Sequence, residues 1–179
     1  MNDKPKQPAS GAAAPTFSGF ALRLFLYLFL VSLAFSLGNL HKAMVPAQTV
    51  LAQGSATAAN WFGADAEVDG TVIRTDNAAL EINHECTGIF VLLVYTMFVL
   101  AYPAPWRNRL SGAVTGWVTL NLVNVARLVV LTVIASRYPD WFAYFHEYFF
   151  QGLFIALLAI LASIWTEQVR RATLAGVSA

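Results

Sequence analysis

The sequence predicts an all-α membrane protein: a bundle of about four transmembrane helices carrying a small extracytoplasmic β-hairpin. Three observations predict it. Hydrophobic residues make up 58% of the chain and charged ones 12%, against roughly 45–50% and 25% in soluble domains. The apolar residues are gathered into four long runs, each near the length that crosses a hydrocarbon core. One long polar connection, residues 39–87, carries the strand and turn signals.

Taken in order, residues 1–18 are rich in Pro, Ala, Ser, Gly and Lys and read as a disordered cytoplasmic tail. Residues 20–37 are the first apolar run, and Arg23 lies close enough to its start to snorkel to the interface. A cleaved signal peptide is the competing reading, because Lys4, Lys6 and Arg23 precede a short apolar core ending in small residues. Either reading puts the next segment outside the cytoplasm. There Val45 to Phe62 suits a helix at or partly in the outer leaflet. Glu67 to Arg74 and Ala79 to Asn83 read as short strands, with turn signals at Asp69-Gly70 and Thr75-Asp76-Asn77. This hairpin leads the chain up to Cys86. The second run, residues 88–102, stops at Pro103 and Pro105, and the basic loop from Trp106 to Arg109 follows. Residues 112–135 and 148–165 are the third and fourth runs, so that residues 19–166 form one transmembrane domain. Residues 167–179, with Arg170 and Arg171, read as a second cytoplasmic tail.

Charge bias sets the expected orientation. With the N-terminus inside, Lys4, Lys6, Arg23, Arg107, Arg109, Arg170 and Arg171 fall on the cytoplasmic side. Only Lys42, Arg74 and Arg137 fall outside. The positive-inside rule therefore puts both termini in the cytoplasm, in an inner-membrane, multi-pass topology.

Cys86 is the single cysteine, which excludes an intramolecular disulfide, a relay of paired thiols within the chain and a zinc-type cysteine cluster. It sits where Glu81 to Thr87, a polar segment, meets the apolar run that Gly88 opens. A thiol at a helix N-terminus feels the positive end of the backbone dipole, so the expectation is an enlarged thiolate fraction and alkylation titrating below the free-cysteine value of about 8.5. The plain alternative is a small buried apolar residue.

Asn121, Asn124 and Arg127 interrupt the third run at a spacing of three, which makes a drifting stripe on one helix. An arginine near a helix centre costs on the order of 2.5–3.5 kcal/mol on insertion scales. It is kept where it faces the bundle interior or a wet cavity and meets an anion. The asparagines are equally consistent with interhelical hydrogen bonding, and Arg127 with a buried pair that only fixes packing. His146 stands among aromatics at the outer mouth of the fourth run, where packing is its ordinary use. Topology gives the three a common location, since Cys86, Arg127 and His146 come from different runs yet all lie toward the outer face. Such a set can perform thiol acyl transfer, with cysteine as nucleophile, histidine as proton carrier and arginine as stabiliser of thiolate or oxyanion. His84 and Glu85, neighbours of Cys86, could replace or orient His146.

Glu85-Cys86-Thr87-Gly88 opening one span, Asn124-x-x-Arg127 in the next, and His146 followed by Gly152 at the last resemble the exosortase/archaeosortase family. The resemblance covers about residues 40–165. It implies a multi-pass membrane cysteine transpeptidase that cleaves C-terminal sorting signals of exported proteins through a thioester on Cys86, with Arg127 and His146 as catalytic partners. Asn124, Glu85 and His84 would be supporting or substrate-binding residues. Longer members have more than the four spans seen here, and the size is similar to compact forms such as exosortase H. The implied partners are exported proteins with a C-terminal motif, an apolar helix and a basic tail, together with membrane lipid. No metal, organic cofactor or nucleic acid is implied. The rival reading is a non-enzymatic small membrane subunit of envelope export or assembly, with Arg127 as an internal counter-ion. Thiol–disulfide exchange fits poorly with one cysteine.

Overall fold

The third apolar run becomes the post on which the other elements are mounted. In the computed structural model, which describes residues 17–37 and 40–177, this run is the helix α4, Trp106–Arg137. Its 32 residues span about 48 Å at 1.5 Å per residue, well beyond a hydrocarbon core of about 30 Å. Gly112, Gly116, Leu120, Asn124 and Leu128 recur every fourth residue and are all buried, so one ridge of α4 faces the interior along most of its length.

On α4 pack α2 (Leu40–Asn60), α3 (Ile89–Ala101), α5 (Pro139–Tyr144) and α6 (Phe150–Val177), while α1 (Phe17–Leu37) packs on α3. At the Trp106 end α3 and α6 close on two glycines of α4. A Cβ on Gly116 would collide with the Tyr95 ring at Cε1, and one on Gly112 would collide with Trp165 Nε1. Trp165 also donates from Nε1 to the Asn108 carbonyl at 3.1 Å. Small residues here let aromatic side chains reach the helix backbone, the usual device for close helix packing in membranes. At the other end α2 packs on α4 through Ala52, Ser55, Ala56 and Ala59, all buried and at helical spacing. Arg137, in the last turn of α4, donates to the Phe62 carbonyl, and Ser136 Oγ donates to the Ala64 carbonyl at 2.9 Å. Asn77 Nδ2 donates to the Ser136 carbonyl at 2.6 Å. The end of α4 thus staples the polar connection in place.

Two expectations change. The hairpin is a three-stranded antiparallel meander, β1 (Glu67–Asp69), β2 (Val72–Arg74) and β3 (Ala79–Glu81), in the order β1-β2-β3. The reason lies at Asp69-Gly70, where Gly70 takes φ 62° and the chain reverses with Asp69 opposite Val72. Only a residue at ease with positive φ makes so tight a return. Ile73 and Leu80 face each other across the central pair and are buried beneath it. The second change concerns the spans. Among the described residues three helices are long and apolar enough to cross a membrane: Ser18–Ser36, Trp106–Arg137 and Pro139–Ala175. The run expected as the second span is α3, whose 13 residues rise about 20 Å. Pro103 and Pro105 end it, so it falls short of a full crossing by length alone. The expected tail falls outside the described residues over positions 1–16, whereas positions 17 and 18 open α1.

The glycines give a paired stability test. Gly54 is exposed on α2, with nothing within 4 Å of where a methyl group would sit. It should accept alanine with a gain of about 0.5–1 kcal/mol. Gly116→Ala should lose about 1–3 kcal/mol by overpacking against the enclosed Tyr95 ring. Unfolding in mixed micelles measures both. Opposite signs are expected, and a gain at Gly116 would mean that Tyr95 is free to move.

Candidate active site

Cys86 lies on a short 3-10 turn, Glu85–Thr87, between the sheet and α3. Asn83 shapes the turn's entry, for its Oδ1 accepts from Glu85 N–H at 2.9 Å and Cys86 N–H at 3.1 Å. Thr87 Oγ1 donates to the His84 carbonyl at 2.6 Å. Gly88 ends the turn at φ 69° and starts α3. A side chain there would be strained by that φ and would also press within 3.1 Å of Asn124 Cγ. Cys86 is therefore separated from the first turn of α3 by a left-handed residue. It belongs to the turn and not to the helix itself.

The α4 face opposite the turn carries Asn124 and Arg127. Asn124 is buried, and its Nδ2 donates to the Cys86 carbonyl at 2.9 Å. Because a carbonyl only accepts, this contact fixes which way the amide points. Its Oδ1 is buried without a hydrogen-bond partner, packed beside Gly88. One turn further, Arg127 is half-buried with its guanidinium carbon 5.6 Å from the centroid of the Phe154 ring on α6. Its Nε is buried and unpartnered, and its charge acts on the Cys86 thiol. Asn121, the third member of the expected stripe, turns to its own helix and donates to the Trp117 carbonyl at 2.8 Å.

His146 stands in a π-helical turn, Phe145–Phe149, that joins α5 to α6 into one long helix. Such turns insert one residue into the ladder and re-aim the side chains around it. The half-buried imidazole stacks on Phe142 at 5.4 Å and 16°. The charges of Arg127, Glu147 and Glu85 reach it. Among the described residues Cys86 and His146 share no hydrogen bond, and Arg127 and Glu85 are the charges that act on both. Glu85 is exposed, and His84 is half-buried. Beside the turn an apolar groove of about 860 Å³ opens between α1, α2, α3 and α4, lined by Val31, Phe35, Val50, Leu92, Thr87 and Asn121 among others. Among the described residues no group of three or more His, Cys, Asp or Glu side chains is placed to hold a metal ion.

The family model described as transmembrane exosortase (Exosortase_EpsH) matches residues 11–166. The chain belongs to the transmembrane exosortase family. No curated protein and no solved structure matches it. At the level of the family this makes the chain a membrane protein related to cysteine transpeptidases.

In this exosortase the surroundings of the thiol run against the sequence expectation. Cys86 is 6% exposed, packed with Ile82, Leu128 and Leu131. Burial pushes its thiol up from the ordinary value, against a downward pull from the Asn83 main-chain amide and from Arg127; Glu85 and Glu81 add to the rise. Desolvation of the charged form outweighs the rest. Alkylation by a small permeant reagent should therefore be slow at neutral pH and titrate above the free-cysteine value of about 8.5. A midpoint below that value would mean that the cysteine turn opens to water in solution.

Three contributors to this geometry escaped the sequence reading. Asn83 had a usable signal, since an asparagine three residues before a turn-forming cysteine has cap spacing. Phe154 and Phe142 had none, because either is one aromatic among many in an apolar helix.

Proposed function

We propose that this chain is a cysteine transpeptidase that cleaves C-terminal sorting signals of exported proteins through a thioester on Cys86. The observation that supports it most is the Asn124 bond to the Cys86 carbonyl, which sets the α4 face that carries Arg127 against the turn before α3. The resting thiol is neutral, so attack is coupled to deprotonation. His146 takes the proton as sulfur bonds to the scissile carbonyl carbon, and the Arg127 guanidinium receives the developing oxyanion. Collapse breaks the C–N bond, and the proton on His146 passes to the leaving amine. An acceptor amine, or water, then adds to the thioester, and the thiolate leaves and is reprotonated. Asn124 holds the Cys86 carbonyl, while Glu85 and His84 border the turn. The apolar groove that reaches Thr87 suits a substrate whose cleavage motif is followed by an apolar helix and a basic tail. In this reading α1, α4 and the α5–α6 helix cross an inner membrane, α3 and the Tyr102–Pro105 segment after it complete the fourth crossing, both termini lie in the cytoplasm and Cys86 lies on the extracytoplasmic side.

The test of the chemistry is a trapped intermediate. During turnover a hydroxylamine-sensitive adduct should link Cys86 to the substrate's new C-terminus, identified by mass. Folded protein that processes substrate without such an adduct would remove the thioester. The test of orientation uses single cysteines at Asp69 and Asn108 in a Cys86→Ser background. A membrane-impermeant reagent should label the Asp69 site in intact spheroplasts and the Asn108 site only after lysis. The reverse pattern would turn the site to the cytoplasm.

One observation favours the non-enzymatic rival. Cys86 is packed in the same apolar cluster as Leu128 and Phe150, as a structural cysteine would be. That reading makes Cys86 dispensable and keeps Arg127 as a counter-ion.

A further inference from the structure

A buried thiol on a three-residue turn needs something to keep it facing a charge on another helix. The turn's own hydrogen bonds lengthen along it: Cys86 N–H to the Asn83 carbonyl at 3.1 Å, Thr87 N–H to the His84 carbonyl at 3.3 Å and Gly88 N–H to the Glu85 carbonyl at 3.4 Å. The last two lie beyond the usual N–H···O range and hold the turn weakly. We propose that Asn83 is the positioning residue of the nucleophile, its side-chain oxygen clamping the cysteine turn from below while Asn124 holds it from α4. This rests on the reading of Cys86 as nucleophile.

The geometry is reciprocal. Asn83 Oδ1 accepts from Glu85 N–H at 2.9 Å and Cys86 N–H at 3.1 Å, and Asn124 Nδ2 donates to the Cys86 carbonyl at 2.9 Å. Both peptide groups of Cys86 are thereby fixed, which leaves its sulfur as the part free to vary. The Asn83 main-chain amide also acts on that sulfur, so the same residue grips the turn and favours the thiolate. Two consequences follow. First, the N–H of the nucleophile is occupied and is not an oxyanion donor, which leaves that task to Arg127. Second, the residue type is explained. Aspartate would cap equally well, but it would add a carboxylate to Glu81 and Glu85, which already oppose the thiolate. Asparagine supplies the acceptor without the charge. The charged groups acting on Cys86 are Arg127 from α4, Glu85 from its own turn and Glu81 from β3, while Arg127 and Glu85 also reach His146.

The test measures Cys86 alkylation against pH, together with processing of an exported substrate, in the full-length protein in bilayers. Asn83→Ala should lower kcat about five- to tenfold, the occupancy a typical cap supplies, with KM unchanged, and raise the alkylation midpoint. Asn83→Ser should recover most of both. A residue that only stabilises the fold would lower thermal stability without moving the midpoint. An unmoved midpoint in Asn83→Ala, or no recovery in Asn83→Ser, overturns the proposal. Should the alanine variant not fold, Asn83→Asp decides. It keeps both hydrogen bonds, so its loss of processing at neutral pH should vanish as pH rises, and a loss persisting at all pH values overturns the proposal. The alkylation shift stands independently of turnover, so a failed transpeptidase reading would leave it in place with no processing in any variant.

Discussion

A strain carrying Cys86→Ala will accumulate exported proteins that keep their C-terminal apolar helices, with processing down on the order of 10⁴-fold or more. In the proposed mechanism that size follows from losing the atom that forms the acyl intermediate. Arg127 and His146 could still polarise a peptide, but no covalent step would remain. The substitution removes only a sulfur from a cluster that includes Ile82, Leu128 and Leu131, so the protein should insert and fold. Membrane abundance and the unfolding midpoint check that point. Full processing in the alanine strain would make the cysteine a packing residue and leave the non-enzymatic reading. Cys86→Ser is the poorer test, because a hydroxyl in that buried place needs a hydrogen-bond partner of its own.

The parts of this molecule that the sequence disclosed are those written in periodicity and composition. The apolar runs announced α1, α4 and α6, because a run near 20 residues has few fates other than a membrane helix. Asp69-Gly70 announced a turn, though not that a third strand would use it. The α3 run misled by its hydropathy, since Pro103 and Pro105 stop the helix after 13 residues and length decides whether a helix crosses. At the site, Arg127 was legible because a charge in an apolar run needs a reason. Asn124 was legible as a polar interruption, but its bond to the Cys86 carbonyl joins residues 38 apart, and single-chain spacing cannot express that. The surroundings of the thiol were hidden for a related reason. Local sequence shows only that Cys86 precedes a helix, whereas its burial comes from α4 and the sheet closing over it. The π turn around His146 was also hidden, because an inserted residue in an aromatic-rich stretch leaves the apolar pattern intact.

Arg127→Lys will insert, keep its place over Phe154 and lose about 10²–10³ in kcat. A lysine retains the positive charge and a cation–π contact. It cannot reproduce the planar fork of donors that follows an oxygen from trigonal to tetrahedral geometry. Arg127→Met removes the charge as well, and its activity should be lower still. The two substitutions also separate through the thiol. Arg127 opposes the desolvation that pushes Cys86 up, so the methionine variant should alkylate with a midpoint above the parent, while the lysine variant should stay near the parent. Processing lost in both variants with the midpoint moved only in methionine assigns charge to the thiol and donor geometry to the oxyanion. Near-normal processing by the lysine variant would show that charge alone suffices. Normal processing by the methionine variant would take Arg127 out of the site and leave it as a counter-ion within the bundle.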